Sequence, residues 1–96
     1  MKVVHIIFEG QFEAEVITLL HREVRIPRYL RLDGVTDARA IERQGRCAYR
    51  LDQRDSMIII ICDDAIAARV MAGLAALRDR LGDGIRSYAM HAEEVV

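Results

Sequence analysis

Three groups of residues in this 96-residue chain have types and spacings suited to chemistry. The first is Gly82-Asp83-Gly84, set between a helical run and a strand-like run. Glycines let a ligand approach the backbone, and adjacent bare N–H groups form an anion nest that could hold phosphate. The same Gly82 also reads as an ordinary helix stop, and the dipole at a helix C-terminus disfavours anions. Arg86, two residues on, offers a positive charge. The second group is arginine. Lys2 is the single lysine, and Arg39, Arg43, Arg46, Arg50 and Arg54 fall in one segment, partly neutralised by Asp37, Glu42, Asp52 and Asp55. Arginine grips phosphate or carboxylate through planar bidentate contacts, so the segment suits an acidic partner surface or a phosphate. The third group is His5, His21 and His91. Strand positions for His5 and His91 would let them face each other across a ladder, but two ligands make a poor metal site, and none is expected. Glu9, Glu13 and Glu15 read as acids at a helix start, because residues two apart diverge on a helix. No Ser/His/Asp or Cys/His set and no Walker-type loop occurs, so no catalytic residue is assigned and the chain is not read as an enzyme.

Composition narrows the class. A formal charge of −1 lacks the basic excess of a bulk nucleic-acid binder. The hydrophobic fraction of 52% allows a core without metal or disulfide staples. No apolar run reaches the roughly 18 residues needed to span a bilayer. The opening MKVVHIIFEG has no small-residue cleavage site, so a cytoplasmic protein is expected. Cys47 and Cys62 form no CxxC pair; Cys62 reads as a small core residue and Cys47 as exposed.

The elements that must position these groups follow from periodicity. Residues 2–8, KVVHIIF, suit a central strand. Phe12, Val16, Leu19, Leu20 and Val24 recur at helical spacing before Pro27. Residues 28–35 alternate and predict a second strand with a bulge. From Gly34 to Asp55 the pattern fails, which predicts a long flexible loop with hinge points at Gly34 and Gly45. SMIIIIC, residues 56–62, is the clearest strand. Asp63-Asp64 offers an N-cap to a helix whose apolar stripe is Ile66, Val70, Leu74, Leu77 and Leu81, ended by Gly82. Residues 85–92 form a last strand. The order predicts one α+β domain over residues 1–96: a ferredoxin-like βαββαβ chain with a four-stranded antiparallel sheet and both helices on one face. The strands are apolar at consecutive positions, so the second face should pack against another copy.

Over nearly its whole length the chain resembles the PII-like signalling superfamily. The resemblance rests on HIIFEGQFEAEVITLL, IPRYLRLDGV, MIIIICDDAIAARVMAGL and GDGIRSYAMHAEEVV. It implies a trimer packed around its sheets, with nucleotides in clefts between subunits and a long T-loop that docks on a target, often a membrane transporter. Residues 34–55 would be the T-loop, with Arg39, Arg43, Arg46, Tyr49 and Arg50 as its partner-binding residues. Gly82, Asp83 and Gly84 resemble the phosphate-contacting B-loop. With Gly34 and Val35 at the loop base and Arg86, they would bind an adenine nucleotide: ADP, ATP or AMP. Ile85 stands where nitrogen-regulatory PII proteins carry a lysine. A CutA-like divalent-metal-binding trimer is the alternative. An acylphosphatase on a similar fold needs an Arg–Asn phosphate site, and this chain has no Asn. An RNA-recognition module needs stacking aromatics that SMIIIIC lacks.

Overall fold

The computed structural model describes residues 1–95, with side chains except those of residues 39, 43, 47 and 49–54. Strand β1 (Lys2–Glu9) alternates in burial: Val4, Ile6 and Phe8 are fully enclosed, while Val3, His5 and Ile7 on the other face are half-buried. The first helix is a composite: a 3-10 turn (Gly10–Phe12), a six-residue α-helix α1 (Glu13–Thr18) and a π turn (Leu19–Glu23). In the π turn Val24 N–H donates to Leu19 carbonyl at 2.9 Å. The wider turn rotates the helix so that Leu19, Leu20 and Val24 all reach the core.

Strand β2 (Leu30–Arg43) and strand β3 (Arg46–Cys62) follow. Helix α2 (Asp64–Leu81) is capped by Asp63, whose carboxylate accepts from Ile66 N–H at 2.8 Å, as the sequence predicts. Its stripe buries Ala67, Val70, Leu74 and Leu77, with Ile66 and Leu81 at the margin. Strand β4 (Ile85–His91) completes a sheet of order β2-β3-β1-β4, every neighbouring pair antiparallel. This is the ferredoxin-like α+β arrangement the sequence predicts. No helix among the described residues is long and apolar enough to cross a membrane.

The segment expected as an irregular loop is paired. Residues 34–55 form the distal part of a β2–β3 hairpin, closed by a two-residue turn at Gln44-Gly45 between the partners Arg43 and Arg46. Positive φ at Gln44 (51°) and Gly45 (73°) matches a type I′ turn, whose twist suits a hairpin. The second strand therefore runs on to Arg43 instead of ending near residue 35. The hairpin was hidden because its distal arms lie beyond the core and need no core-facing apolar alternation.

Both helices cover one face of the sheet. The other face carries Leu30, Leu32, Ile61, Tyr88 and Met90, each at least half exposed. Within one copy that apolar face is uncovered, although the strand pattern predicts burial on both sides.

Candidate functional site

The register brings the glycine turn and the hairpin root to one end of the sheet. Ile85 lies across from Phe8, and Glu9 N–H donates to Gly84 carbonyl at 3.0 Å. Glu9 lies across from Asp55, and Asp55 across from Val35. Gly84, Glu9, Asp55 and Val35 thus form one row. With neighbouring strands about 4.8 Å apart, the row is about 14 Å wide, so Val35 and the glycines occupy opposite edges of the sheet.

At the β4 edge the three turn residues do different work. Gly82 (φ 95°) caps α2, its N–H donating to Arg78 carbonyl at 2.8 Å, and opens to free space. Asp83 is exposed, with its carboxylate 3.6 Å from the Arg78 guanidinium. Gly84 is closed in: a Cβ there would stand 2.1 Å from Phe12 Cε2 and 3.0 Å from Glu9 Oε2. The Glu9 carboxylate is held by Gln11 Nε2 at 2.6 Å. The open side of the turn is therefore Gly82-Asp83, whereas Gly84 serves packing. Arg86 lies across from Ile7, two residues into the strand and on the face away from the helices.

At the β2 edge the register shifts between Leu32 and Val35, so that Asp33 and Gly34 together oppose Ser56. This is a β-bulge, and Gly34 supplies its positive φ of 72°. The expected hinge point at Gly34 is the bulge itself. A polar network surrounds it. Asp33 Oδ1 accepts from Ser56 Oγ at 2.8 Å and from Arg31 Nε at 2.9 Å, and Arg31 Nη2 donates to Glu13 Oε1 on α1. The guanidinium also stands 5.9 Å from the Phe8 ring centroid, within cation–π range. The hydrogen bonds from Arg31 and then Ser56 hold the Asp33 carboxyl below its ordinary range. Those same partners, Asp33 first and Glu13 next, raise the Arg31 guanidinium further. Sequence reasoning placed Gly34 but missed Arg31, Asp33, Glu13 and Ser56 as a set. The Asp-Gly pair was the only local signal.

The remaining candidates disperse. His5 lies across from Tyr88 and His91 across from Lys2, so the two histidines do not face each other. Lys2 and His5 are three apart on β1, and an odd separation puts them on opposite faces. His21 is exposed beside Tyr29, with Nε2 3.2 Å from the hydroxyl. Cys62 is half-buried, and burial pushes its thiol up, away from reactivity. On the hairpin, Arg39 is the backbone partner of Arg50 and Arg43 that of Arg46. Arg46 is exposed; the side chains of Arg39, Arg43, Tyr49 and Arg50 lie outside the described residues, as does the Cys47 thiol. Among the described residues no three His, Cys, Asp or Glu side chains are grouped to hold a metal ion.

No protein-family model and no curated protein matches the chain. Solved structures share its fold. The structure of CPII, a nitrogen regulatory PII-like protein from Thiomonas intermedia K12 bound to ADP, AMP and bicarbonate, aligns with a TM-score of 0.64 at 14% identity, covering 99% of this chain and 94% of that one. The B. subtilis GlnK–ATP complex aligns with a TM-score of 0.67 at 13% identity, covering 94% and 82%. The PII-like protein CutA from Nostoc sp. PCC 7120, in apo form, aligns with a TM-score of 0.62 at 9% identity, covering 97% and 82%. At these identities the likeness is one of fold, and the fold is that of PII-like proteins.

Proposed function

We propose that the chain is a PII-like regulatory module rather than a catalyst. A small effector, an adenine nucleotide (ADP, ATP or AMP), binds between copies and controls a partner protein, such as a membrane transporter, through the β2–β3 hairpin. One observation carries this reading: the glycine turn 82–84, the bulge at Asp33-Gly34 and the root of the hairpin share one end of the sheet. A ligand held between copies at that end, against the β4 edge of one and the β2 edge of another, would touch the segment that sets the hairpin's direction. The effect on a partner can be no larger than the ligand's preference between hairpin arrangements.

Two facts about solved proteins of this fold support the choice of ligand. CPII is described with ADP and AMP, and GlnK with ATP. Within one copy the two edges of the row are about 14 Å apart, so a second copy is needed to close a pocket against either edge. The uncovered apolar face gives copies a reason to associate, and a homotrimer follows from the sequence resemblance. Gly34, Val35, Gly82, Asp83 and Gly84 would line the cleft, and Arg86 would supply the charge that Ile85 does not. Arg39, Arg43, Arg46, Tyr49 and Arg50 would meet the partner. The metal-binding alternative gains no ligand pair, because the register separates His5 from His91.

Titration calorimetry with AMP, ADP, ATP and cyclic AMP tests the proposal. We expect heat from at least one nucleotide, and slower amide exchange at residues 34–35 and 82–86 when it is bound. No heat from any of the four, with unchanged exchange, would overturn it.

A further inference from the structure

At the hairpin root, side chains tie the β2 edge to the helix layer through a chain of ionic hydrogen bonds. Beyond the bulge, β2 is an edge strand paired with β3 alone. Two register shifts, at Leu32/Val35 and Asp37/Ala38, interrupt the ladder where the hairpin leaves the sheet. Each leaves an unpaired residue, bends the strand and weakens its coupling to the body. Backbone pairing is interrupted there, which leaves the angle of the hairpin open to control by side chains.

We infer that Arg31 is a clasp: by joining Asp33 in the bulge to Glu13 on α1, it holds the distal hairpin at one angle, and breaking it lets the hairpin swing. Arg31 lies across from Ile58, on the helix-covered face, which aims its side chain toward α1. Its fork engages two carboxylates from different elements, and its plane lies near the Phe8 ring. A rigid planar fork serves this role and a lysine would not, because one point charge cannot hold both carboxylates in fixed directions. Ser56 completes the clasp from β3 by donating to the same Asp33 oxygen. The joint therefore links three elements: β2, β3 and the start of α1. Arg31 is a positioning residue; it acts on the hairpin through Asp33. Its functional meaning rests on the hairpin being the docking element, but its mechanical role does not.

Amide hydrogen exchange on the whole protein, without nucleotide or partner, separates the two questions. In Arg31→Gln we expect amides of residues 35–43 and 46–54 to exchange about threefold faster, the scale of losing solvent-exposed ion pairs. Amides of residues 3–8 and 57–61 should keep their wild-type rates. Glu13→Gln, which removes the charge from the link to α1 alone, should give a smaller change in the same segments. Arg28→Gln, an exposed arginine outside the network, should give none. Unchanged distal exchange in Arg31→Gln overturns the clasp. So does acceleration shared equally by the core strands, because that is loss of global stability. If Arg31→Gln does not fold, Glu13→Gln decides by the same two criteria. A failed nucleotide titration leaves these outcomes untouched.

Discussion

At the scale of single residues, glycines that resemble one motif have separate reasons to be glycine. Gly82 needs its positive φ to stop α2 and leaves open space beside it. Gly84 has no such backbone demand and is required by a neighbour, the Phe12 ring. Replacing Gly84 with Ala would drive a methyl to 2.1 Å from Phe12 Cε2, and the ring is packed against the core cluster. Overpacking of this kind costs about 1–3 kcal/mol. For a chain of this length each kcal/mol lowers the melting temperature by about 4–8 °C. A thermal melt of Gly84→Ala checks it, and an unshifted midpoint would show that the ring moves aside freely.

At the scale of elements, what the sequence made legible tracks burial. β1, SMIIIIC and α2 contribute most of the core, and their periodicity gives their positions to within a few residues. The capping Asp63 and terminating Gly82 were legible because they act locally through one side chain and one dihedral. The composite first helix was only half legible. Its apolar spacing was visible, but the π turn depends on how Leu19, Leu20 and Val24 fit the core together. The hairpin was illegible because a two-stranded arm beyond the core needs no apolar face, and its main signal was a turn pair, Gln44-Gly45, with an unusual first member. That pair makes the element testable. Gln at φ 51° is in a region where Asn is several-fold enriched. Gln44→Asn should therefore slow amide exchange at residues 41–48 several-fold, with no change in β1. Equal exchange in the two proteins would mean that the turn does not limit hairpin stability. Candidate-site residues divide in the same way. The glycines were visible as types, whereas the Arg31 network depends on a register that no local pattern encodes.

At the scale of the whole molecule, the hairpin and the bare sheet face make a single copy an incomplete object. The radius of gyration is 15.3 Å, against about 12.5 Å expected for a compact chain of this length. Leu30, Leu32, Ile61, Tyr88 and Met90 remain half exposed or more. Fully burying such a side chain gives about 1.5–3 kcal/mol, so finishing the job for five half-buried ones gives roughly 5 kcal/mol per copy. Association costs about 4–15 kcal/mol in lost freedom, the same order as this gain, so assembly on this face is finely balanced. One charge placed on it should decide the outcome. Ile61 is 61% exposed in a single copy, so Ile61→Asp should leave the subunit folded. In an assembly the carboxylate would be buried against apolar neighbours at a cost of several kcal/mol. We expect sedimentation velocity to show the parent as an oligomer and Ile61→Asp as a monomer at the same micromolar concentration, with matching far-ultraviolet circular dichroism. The monomer should also lose nucleotide binding, because a cleft between copies cannot exist in one. A parent that sediments as a folded monomer, or a variant that stays assembled, would remove the sheet face from the interface. A monomeric variant that still binds nucleotide would keep the interface and move the ligand site onto a single copy.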